Sequence, residues 1–261
     1  MSIALHAQTM GSGPTLLILH GLFGSGRNWG GIARRLAARR TLHLLDARNH
    51  GASSWETSMS YPEMAGDLAA YIAAAGLGPV EIMGHSMGGK TAMTLALSRP
   101  ELVKRLIVVD IAPVAYRHGA QDSYGAYIAG MKALDLATIT RRSEAEAALV
   151  KAIPDDSMRA FIVQNLESHD NTYRWRINLD AIGANLDNLV GFPHFDTPFA
   201  GPATIVAGEL SNYVRPRDEA EIHRLFPKAT IDVVEGAGHW LHADQPDRLM
   251  AILERTLPSQ S

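Results

Sequence analysis

The chain contains no cysteine among its 261 residues. This absence excludes a disulfide framework, a thiolate metal site and a cysteine nucleophile. The sequence also lacks an excess of charge of either sign, because its formal net charge at pH 7 is −3 and 20% of its residues are charged. A protein without a basic surface has no electrostatic attraction for nucleic acid or for an anionic membrane, so we expect neither partner.

Long apolar runs are missing as well. No stretch reaches the roughly 18 apolar residues that a membrane span requires. The first residues, MSIALHAQTMGSG, lack the positive segment and the long apolar run of a secretion signal. We therefore expect a cytoplasmic protein without a membrane span, and the length suffices for one large α/β domain with a substantial core.

Short apolar runs rich in β-forming residues alternate with helical patterns. These runs are TLLILHG (15–21), TLHLLD (41–46), VEIMG (80–84), LIVVD (106–110), ATIVAG (203–208) and ATIDVVEG (229–236). Nearly continuous hydrophobicity within each run is typical of strands that are buried on both faces. The pattern therefore predicts an α/β fold with a mostly parallel, twisted sheet flanked by helices.

The regular spacing of the predicted strands is interrupted once, between Asp110 and Ala203. The intervening residues carry helical patterns, one of them with a predicted capping box of Ser143 and Glu146, and no convincing strand. An insertion of this kind is most simply a helical cap over the strand ends, placed before the penultimate strand. We predict one domain, with the core formed by residues 1–111 and 200–261 and the cap by residues 112–199.

The stretch GHSMGGKT, residues 84–91, matches two motifs with incompatible functions. As G-x-x-x-x-G-K-[ST] it is a P-loop of a nucleotide-binding protein, in which Lys90 would contact phosphate and Thr91 would bind Mg²⁺. As G-x-S-x-G it is a nucleophile elbow, in which the hydroxyl of Ser86 attacks a carbonyl carbon. A P-loop normally follows the first strand, whereas at least two predicted strands precede this stretch. The P-loop interpretation also leaves two other glycine-flanked histidines without a role, so we favour the elbow.

A serine nucleophile needs a base, an acid that orients the base, and N–H donors for the oxyanion. His239 in EGAGHWLHADQP, after the last predicted strand, is the candidate base, and His242 is its rival. The backbone N–H groups of Leu22 in LILHGLFGS and of Met87, the residue after the nucleophile, are the candidate oxyanion hole. All these groups follow strand ends, where ligands bind in open α/β sheets. The combination predicts a serine hydrolase.

The sequence resembles the α/β-hydrolase superfamily, and more narrowly the YbfF-type bacterial esterases and their mitochondrial abhydrolase relatives. Nearly the whole chain carries the resemblance, in the segments HGLFGS, DARNHGAS, GHSMGGK, VVDIAP, YRWRINLDAI, NYV and AGHWLHADQP. It implies the α/β-hydrolase fold and a carboxylesterase or thioesterase that acts on short or medium acyl esters or acyl-CoA. It also implies that no metal or organic cofactor takes part.

The acid of the expected triad is not at its usual position. Many members of the superfamily carry GExDxxV after the penultimate strand, whereas this chain has GELSNYV, so that Ser211 lies at or next to the Asp position. Because a serine cannot carry the charge, we assign the acid to Asp110 at the end of LIVVD, which should lie between the elbow strand and the ATIVAG strand. Glu209 is the alternative acid, and Asp110 could instead cap the turn at 112–113.

Candidate substrate-binding residues flank these motifs and occupy the predicted cap. In YRWR, residues 173–176, an aromatic and basic mixture could receive an acyl chain beside an anionic group such as that of CoA. Alternatively, the tryptophan there lies in the core and the arginines lie in solvent or in ion pairs. His85 could likewise be a packing residue, because adjacent side chains diverge on a tight turn. The candidates are Phe23, His85, Tyr173, Arg174, Trp175, Arg176 and Trp240.

Other functional classes are compatible with the same motifs. A cofactor-free haloperoxidase or a lyase could use this scaffold, since a fold does not determine a function. A binding protein that has lost catalysis is a further alternative.

Overall fold

The computed structural model describes residues 2–116, 120–170 and 172–257. The outer bounds of the two predicted core segments, residues 1 and 261, lie outside the described residues. The strands are β1 (Ala7–Met10), β2 (Thr15–Leu19), β3 (Thr41–Leu45), β4 (Val80–His85), β5 (Val103–Val109), β6 (Leu166–His169), β7 (Thr172–Trp175), β8 (Ala203–Gly208) and β9 (Ala229–Val234).

Helices cover the sheet and fill the interval between β5 and β8. They are α1 (Gly30–Leu36), α2 (Tyr61–Ala74), α3 (Met87–Ser98), α4 (Ala120–Ala133), α5 (Arg142–Leu149), α6 (Asp156–Val163), α7 (Leu179–Ala184), α8 (Leu186–Val190), α9 (Glu219–Leu225), α10 (Leu241–Asp244) and α11 (Pro246–Thr256). Among the helices of the described ranges, none is both long enough and apolar enough to cross a membrane.

The main sheet has seven strands in the order β1-β3-β2-β4-β5-β8-β9. All neighbours from β3 to β9 pair in parallel, which confirms the predicted mostly parallel sheet, and β1 pairs antiparallel with β3 at the edge. Every residue of β4 and of β8 is buried. Strands buried on both faces read as continuous apolar runs, which is why the sequence revealed them.

Two apolar clusters account for this burial, one on each face of the sheet. On one face, residues such as Leu68 of α2 and Leu95 of α3 pack against β4 and β5. On the other face, residues such as Ile32 of α1 and Leu253 of α11 pack against β2 and β3. The sheet is therefore the middle layer of a three-layer α/β structure, and its carboxyl-terminal edge stays available for a site.

A third apolar cluster joins the residues between β5 and β8 to that edge. It contains Ile128 of α4, Ile162 of α6 and Ile182 of α7, together with Met59 and Met87 from the flanking core. Because these side chains are buried against one another, the inserted helices are fixed over the carboxyl ends of the strands. This placement positions the residues that border the candidate site.

Two predictions about local structure in the insertion were wrong. The residues between β5 and β8 do contain strands, since β6 and β7 form an antiparallel hairpin. Its residues are largely polar and half or fully exposed, so they lack the apolar run that marks a buried strand. The predicted capping box of Ser143 is also absent, because α5 already begins at Arg142 and Glu144 instead accepts a hydrogen bond of 2.9 Å from the Thr140 N–H.

Candidate active site

Ser86 lies on a strained turn between β4 and α3. Its backbone has φ 52° and ψ −118°, in the left-handed half of conformational space that residues with a side chain rarely adopt. A Cβ on Gly84 would lie 2.2 Å from the carbonyl oxygen of Gly88, and a Cβ on Gly88 would lie 2.6 Å from that of His20. Glycine is therefore required on both sides of the serine, and strand, turn and helix together have the geometry of a nucleophile elbow.

Asp110 follows β5, the strand next to the elbow strand, and its side chain is completely buried. Its Oδ1 accepts a hydrogen bond of 2.9 Å from the Gly208 N–H, and its Oδ2 accepts one from the Ser211 hydroxyl. The same Oδ2 lies 2.7 Å from Nδ1 of His239. A carboxylate at this nitrogen holds the Nδ1–H tautomer, which leaves Nε2 as the ring nitrogen that can take a proton.

Glu209, the alternative acid, and Ser211, at the usual acid position, have other contacts. Glu209 is exposed and its Oε2 accepts a hydrogen bond of 2.8 Å from the Gly236 N–H, whereas the carboxylate at Nδ1 of His239 is that of Asp110. Ser211 has a role that sequence reasoning missed, because its hydroxyl donates to Asp110. Its position in the sequence could have indicated this role, because Ser211 lies at or next to the position where the superfamily pattern has an aspartate.

Aromatic rings hold His239 from two sides. The ring centroid of Tyr213 lies 4.2 Å from that of His239, and the centroid of His85 lies 4.6 Å from it. His85 is buried and donates from Nε2 to the backbone carbonyl of His239 at 2.8 Å. Burial holds the pKa of His85 well below its usual value, so this ring is neutral and packs beside the site.

His242, the rival histidine, lies on the short helix α10 that follows this loop. Its ring stacks on Trp29 with centroids 4.6 Å apart. Burial, with a smaller contribution from the charge of His239, lowers the pKa of His242 to about 4. The structure thus brings Asp110 together with His239 and packs His242 against the indole of Trp29.

The loop after β2 passes directly over the elbow. A Cβ on Gly21 would lie 2.9 Å from Nδ1 of His85 and 3.3 Å from Cβ of Ser86, so a side chain there would force the His85 ring to move. Leu22 and Met87, the two candidate oxyanion donors, line the same small cavity as Ser86. Phe23 has φ 61° and donates its N–H to Nε2 of His50 at 3.2 Å, which fixes the end of this loop.

His50 and His20 support the loop and were missed as functional residues by the sequence analysis. Burial, with a smaller contribution from His20, lowers the pKa of His50 to about 3, so its ring is neutral and can accept a hydrogen bond. Nε2 of His20 accepts from the Ala47 N–H at 3.0 Å, which joins the loop after β2 to the loop after β3. The sequence did offer a clue to His50: it lies in DARNHGAS, one of the segments that carry the family resemblance, although no role was assigned to it.

Two cavities adjoin the candidate catalytic groups. The smaller one, of about 30 Å³, is lined by Ser86, and the larger one, of about 690 Å³, is lined by His239. Three tyrosines line both cavities: Tyr116, Tyr124 and Tyr213. Arg215 and Arg217 line the larger cavity. The arrangement therefore has a narrow space at the nucleophile and a wide one at the base.

The candidates from the YRWR segment are dispersed. Trp175 is buried in the third cluster and donates from Nε1 to the Met131 carbonyl at 3.2 Å. Arg174 is 58% exposed and its Nε donates to Glu167 at 2.8 Å, and half-buried Tyr173 packs against the third cluster. Arg176 lines a separate cavity of about 580 Å³, to which two further candidates contribute, Phe23 and Trp240.

Comparisons with known proteins agree with this geometry. A family model described as alpha/beta hydrolase fold matches residues 14–246. The mouse sn-1-specific diacylglycerol lipase ABHD11 is 41% identical over 91% of this chain and 78% of its own length. The esterase YbfF of Escherichia coli is 31% identical over 96% of both chains. Among solved structures, a marine microorganism esterase has a TM-score of 0.94 and 41% identity, and covers 98% of this chain and 100% of its own.

Replacement of the buried carboxylate tests the role of the Asp110–His239 contact. We expect Asp110→Asn to lower kcat for p-nitrophenyl acetate by about 10⁴, because an amide neither holds the Nδ1–H tautomer nor stabilises an imidazolium. Glu209→Gln and Ser211→Ala are the matched controls, and each should cost about tenfold or less. A severe loss in Glu209→Gln combined with a mild one in Asp110→Asn would assign the acid to the loop after β8 instead. Circular dichroism spectra would verify that all three variants are folded.

Proposed function

Because the chain belongs to the α/β-hydrolase family, we propose that it hydrolyses carboxylic esters through an acyl-enzyme on Ser86. One observation supports this proposal above the others: a buried aspartate after β5 lies 2.7 Å from His239, and a serine occupies a strained strand-to-helix turn at the end of the neighbouring strand β4. Structural strain of this kind is retained where the surrounding fold enforces it, typically at sites of chemistry. The P-loop alternative loses its support, because Lys90 and Thr91 bind backbone carbonyls in place of phosphate and metal.

The proposed reaction has two steps. Oγ of Ser86 forms a bond to the ester carbonyl carbon while its proton passes to Nε2 of His239, and the buried carboxylate of Asp110 stabilises the imidazolium. The N–H groups of Leu22 and Met87 hold the oxyanion. The carbon–oxygen bond to the alcohol then breaks and the alcohol leaves with the proton from His239. In the second step water attacks the acyl-enzyme by the same proton route and releases the acid.

The two cavities suggest where the two parts of an ester substrate bind. We assign the acyl group to the small cavity beside Ser86 and the leaving group to the large cavity beside His239. Residues 112–199 act as a cap in this proposal, because Tyr116 and Tyr124 from that segment line both spaces. A cavity of about 30 Å³ holds only a few atoms the size of water, so the preferred acyl group is short.

Thioesters are the second substrate class that the large cavity favours. Arg215 and Arg217 line it; the side chain of Arg217 is 70% exposed, and its Nε lies 3.8 Å from a carboxylate oxygen of Asp218. Guanidinium groups recognise phosphates in a bidentate manner. A leaving group that carries phosphates, such as CoA, would place them at this cavity, and the arginines of the YRWR segment would have no part.

The nucleophile is tested by its removal. We expect Ser86→Ala to remove covalent labelling by a fluorophosphonate and to lower ester hydrolysis by a factor on the order of 10⁶, as when one member of a triad is deleted. Gel fluorescence and p-nitrophenyl acetate turnover measure the two effects. Labelling of the alanine variant at the wild-type rate would place the nucleophile at another residue and refute the acyl-enzyme on Ser86.

The position of the leaving group is tested with a pair of arginine variants. We expect Arg217→Ala to raise KM for acetyl-CoA by about tenfold while KM for p-nitrophenyl acetate stays unchanged, because a lost contact to a charged group costs about 1.5 kcal/mol or more. Arg174→Ala removes an arginine of similar exposure outside the cavity, and its KM for both substrates should match the wild type. Equal changes in KM for the two substrates in Arg217→Ala would contradict a phosphate contact.

A further inference from the structure

A lysine lies beside the nucleophile, deep inside the protein. Lys90 lies in the first turn of α3, four residues after Ser86, which precedes the helix on the strained turn. Lys90 is 1% exposed and lines the small cavity together with Ser86. Its Nζ donates to the carbonyl oxygens of Gly191 at 2.5 Å and Val190 at 3.2 Å. The lysine head group therefore lies at the cavity wall, against the end of the segment that covers the site.

This ammonium has no acidic partner among residues 2–116, 120–170 and 172–257. It lies 4.7 Å from the ring centroid of Tyr116 and 5.6 Å from that of Tyr61. Burial lowers the pKa of Lys90 to about 7. An isolated cation in such a place is costly unless an anion joins it, and two carbonyls with two ring faces compensate only part of that cost.

The other described residues that line the small cavity are uncharged. Lys90 is the one charged side chain among its described lining residues. The hydroxyl of Tyr61 already donates to the Leu189 carbonyl at 2.7 Å, and those of Tyr124 and Tyr213 pair with each other at 2.9 Å. An ammonium has three donors, and two of those on Lys90 are engaged. No group in the described ranges engages the third, so it can bind a group that enters the cavity.

We propose that Lys90 binds a carboxylate at the far end of the acyl group, so that the preferred substrates are half-esters or half-thioesters of short dicarboxylic acids. This inference rests on the proposed function, because it requires the acyl group to be attached to Ser86. A malonyl group matches the size of the cavity, since only a methylene and a carboxylate extend beyond its ester carbonyl. A neutral acyl group would displace water from the ammonium and return no hydrogen bond, so the site discriminates against it.

A purely structural role for Lys90 makes a different prediction. Its two carbonyl contacts fix α3 to the end of the segment that covers the site, so its loss would lower stability and reduce activity on every ester alike. Carboxylate binding instead changes the ratio of kcat/KM between a charged ester and a neutral ester of the same shape. That ratio is the quantity to measure.

Monomethyl malonate and methyl acetoacetate are a suitable pair, because they differ only in a terminal carboxylate against a methyl ketone. We expect wild-type kcat/KM, measured as methanol release at pH 6.5, to be about tenfold or more higher for monomethyl malonate, the range expected of a charged hydrogen bond. Lys90→Gln and Lys90→Met should abolish this preference. Lys104→Gln, which removes an exposed positive charge at the start of β5, should keep it.

The wild-type protein alone can also refute the inference, in case the Lys90 variants do not fold. The malonate-to-acetoacetate ratio should fall between pH 6 and pH 8.5, because Lys90 loses its proton through a pKa of about 7 while the malonate half-ester stays ionised. Proton transfer at His239 affects both esters equally and cancels in the ratio. Tyr61 and Tyr116 face the ammonium with pKa values that burial raises, so they remain neutral over this range. A ratio that is flat with pH, or never above one, overturns the assignment.

Failure of this inference is distinguishable from failure of the proposed function. A wild-type protein that hydrolyses methyl acetoacetate at least as well as monomethyl malonate refutes carboxylate binding and retains the esterase. A protein that hydrolyses neither ester and does not react with a fluorophosphonate refutes both.

Discussion

The contact between Asp110 and His239 is the interaction on which the rest of the site depends. It joins a residue at the end of β5 to a loop that follows β9, across the intervening strand β8. The carboxylate is completely buried and is also held by the Gly208 N–H and the Ser211 hydroxyl, so its position is fixed before the histidine approaches it. Because His85 and Tyr213 flank the imidazole, the ring has little freedom to leave the carboxylate.

Much of the fold was predictable because strands that are buried on both faces of a sheet appear in the sequence as continuous apolar runs. Five of the six parallel strands were found in this way. The edge strand β9 was found from its β-forming residues although most of them are half-buried or exposed, whereas β1, with half-buried and exposed residues at the other edge, was missed. The hairpin of β6 and β7 was missed for the same reason. Periodicity reports burial, so strands that expose much of their surface leave only a weak signal.

The candidate site was likewise predictable in part. The strand order that placed Asp110 between the elbow strand and ATIVAG is the observed order, so the position of the carboxylate followed from topology once Ser211 had removed the usual acid. Distances along the chain could not indicate that Lys90 lies at the wall of the cavity. Its environment depends on Val190 and Tyr116, which approach α3 only through the packing of the insertion.

Four residues with side chains adopt positive φ angles close behind the ends of four neighbouring strands, namely Phe23, Asn49, Ser86 and Asp110. Only one further residue with a side chain in the described ranges has a positive φ, Asp170 in the turn of the β6–β7 hairpin, so conformational strain is concentrated at one edge of the main sheet. In the proposed mechanism the acid is Asp110, after β5, so the loop after β8 does not have to supply a charge. That loop holds Asp110 through Ser211 and lines the large cavity with Tyr213 and Arg215. Substrate choice can then evolve through the cavity-lining positions of this loop without loss of a reacting group.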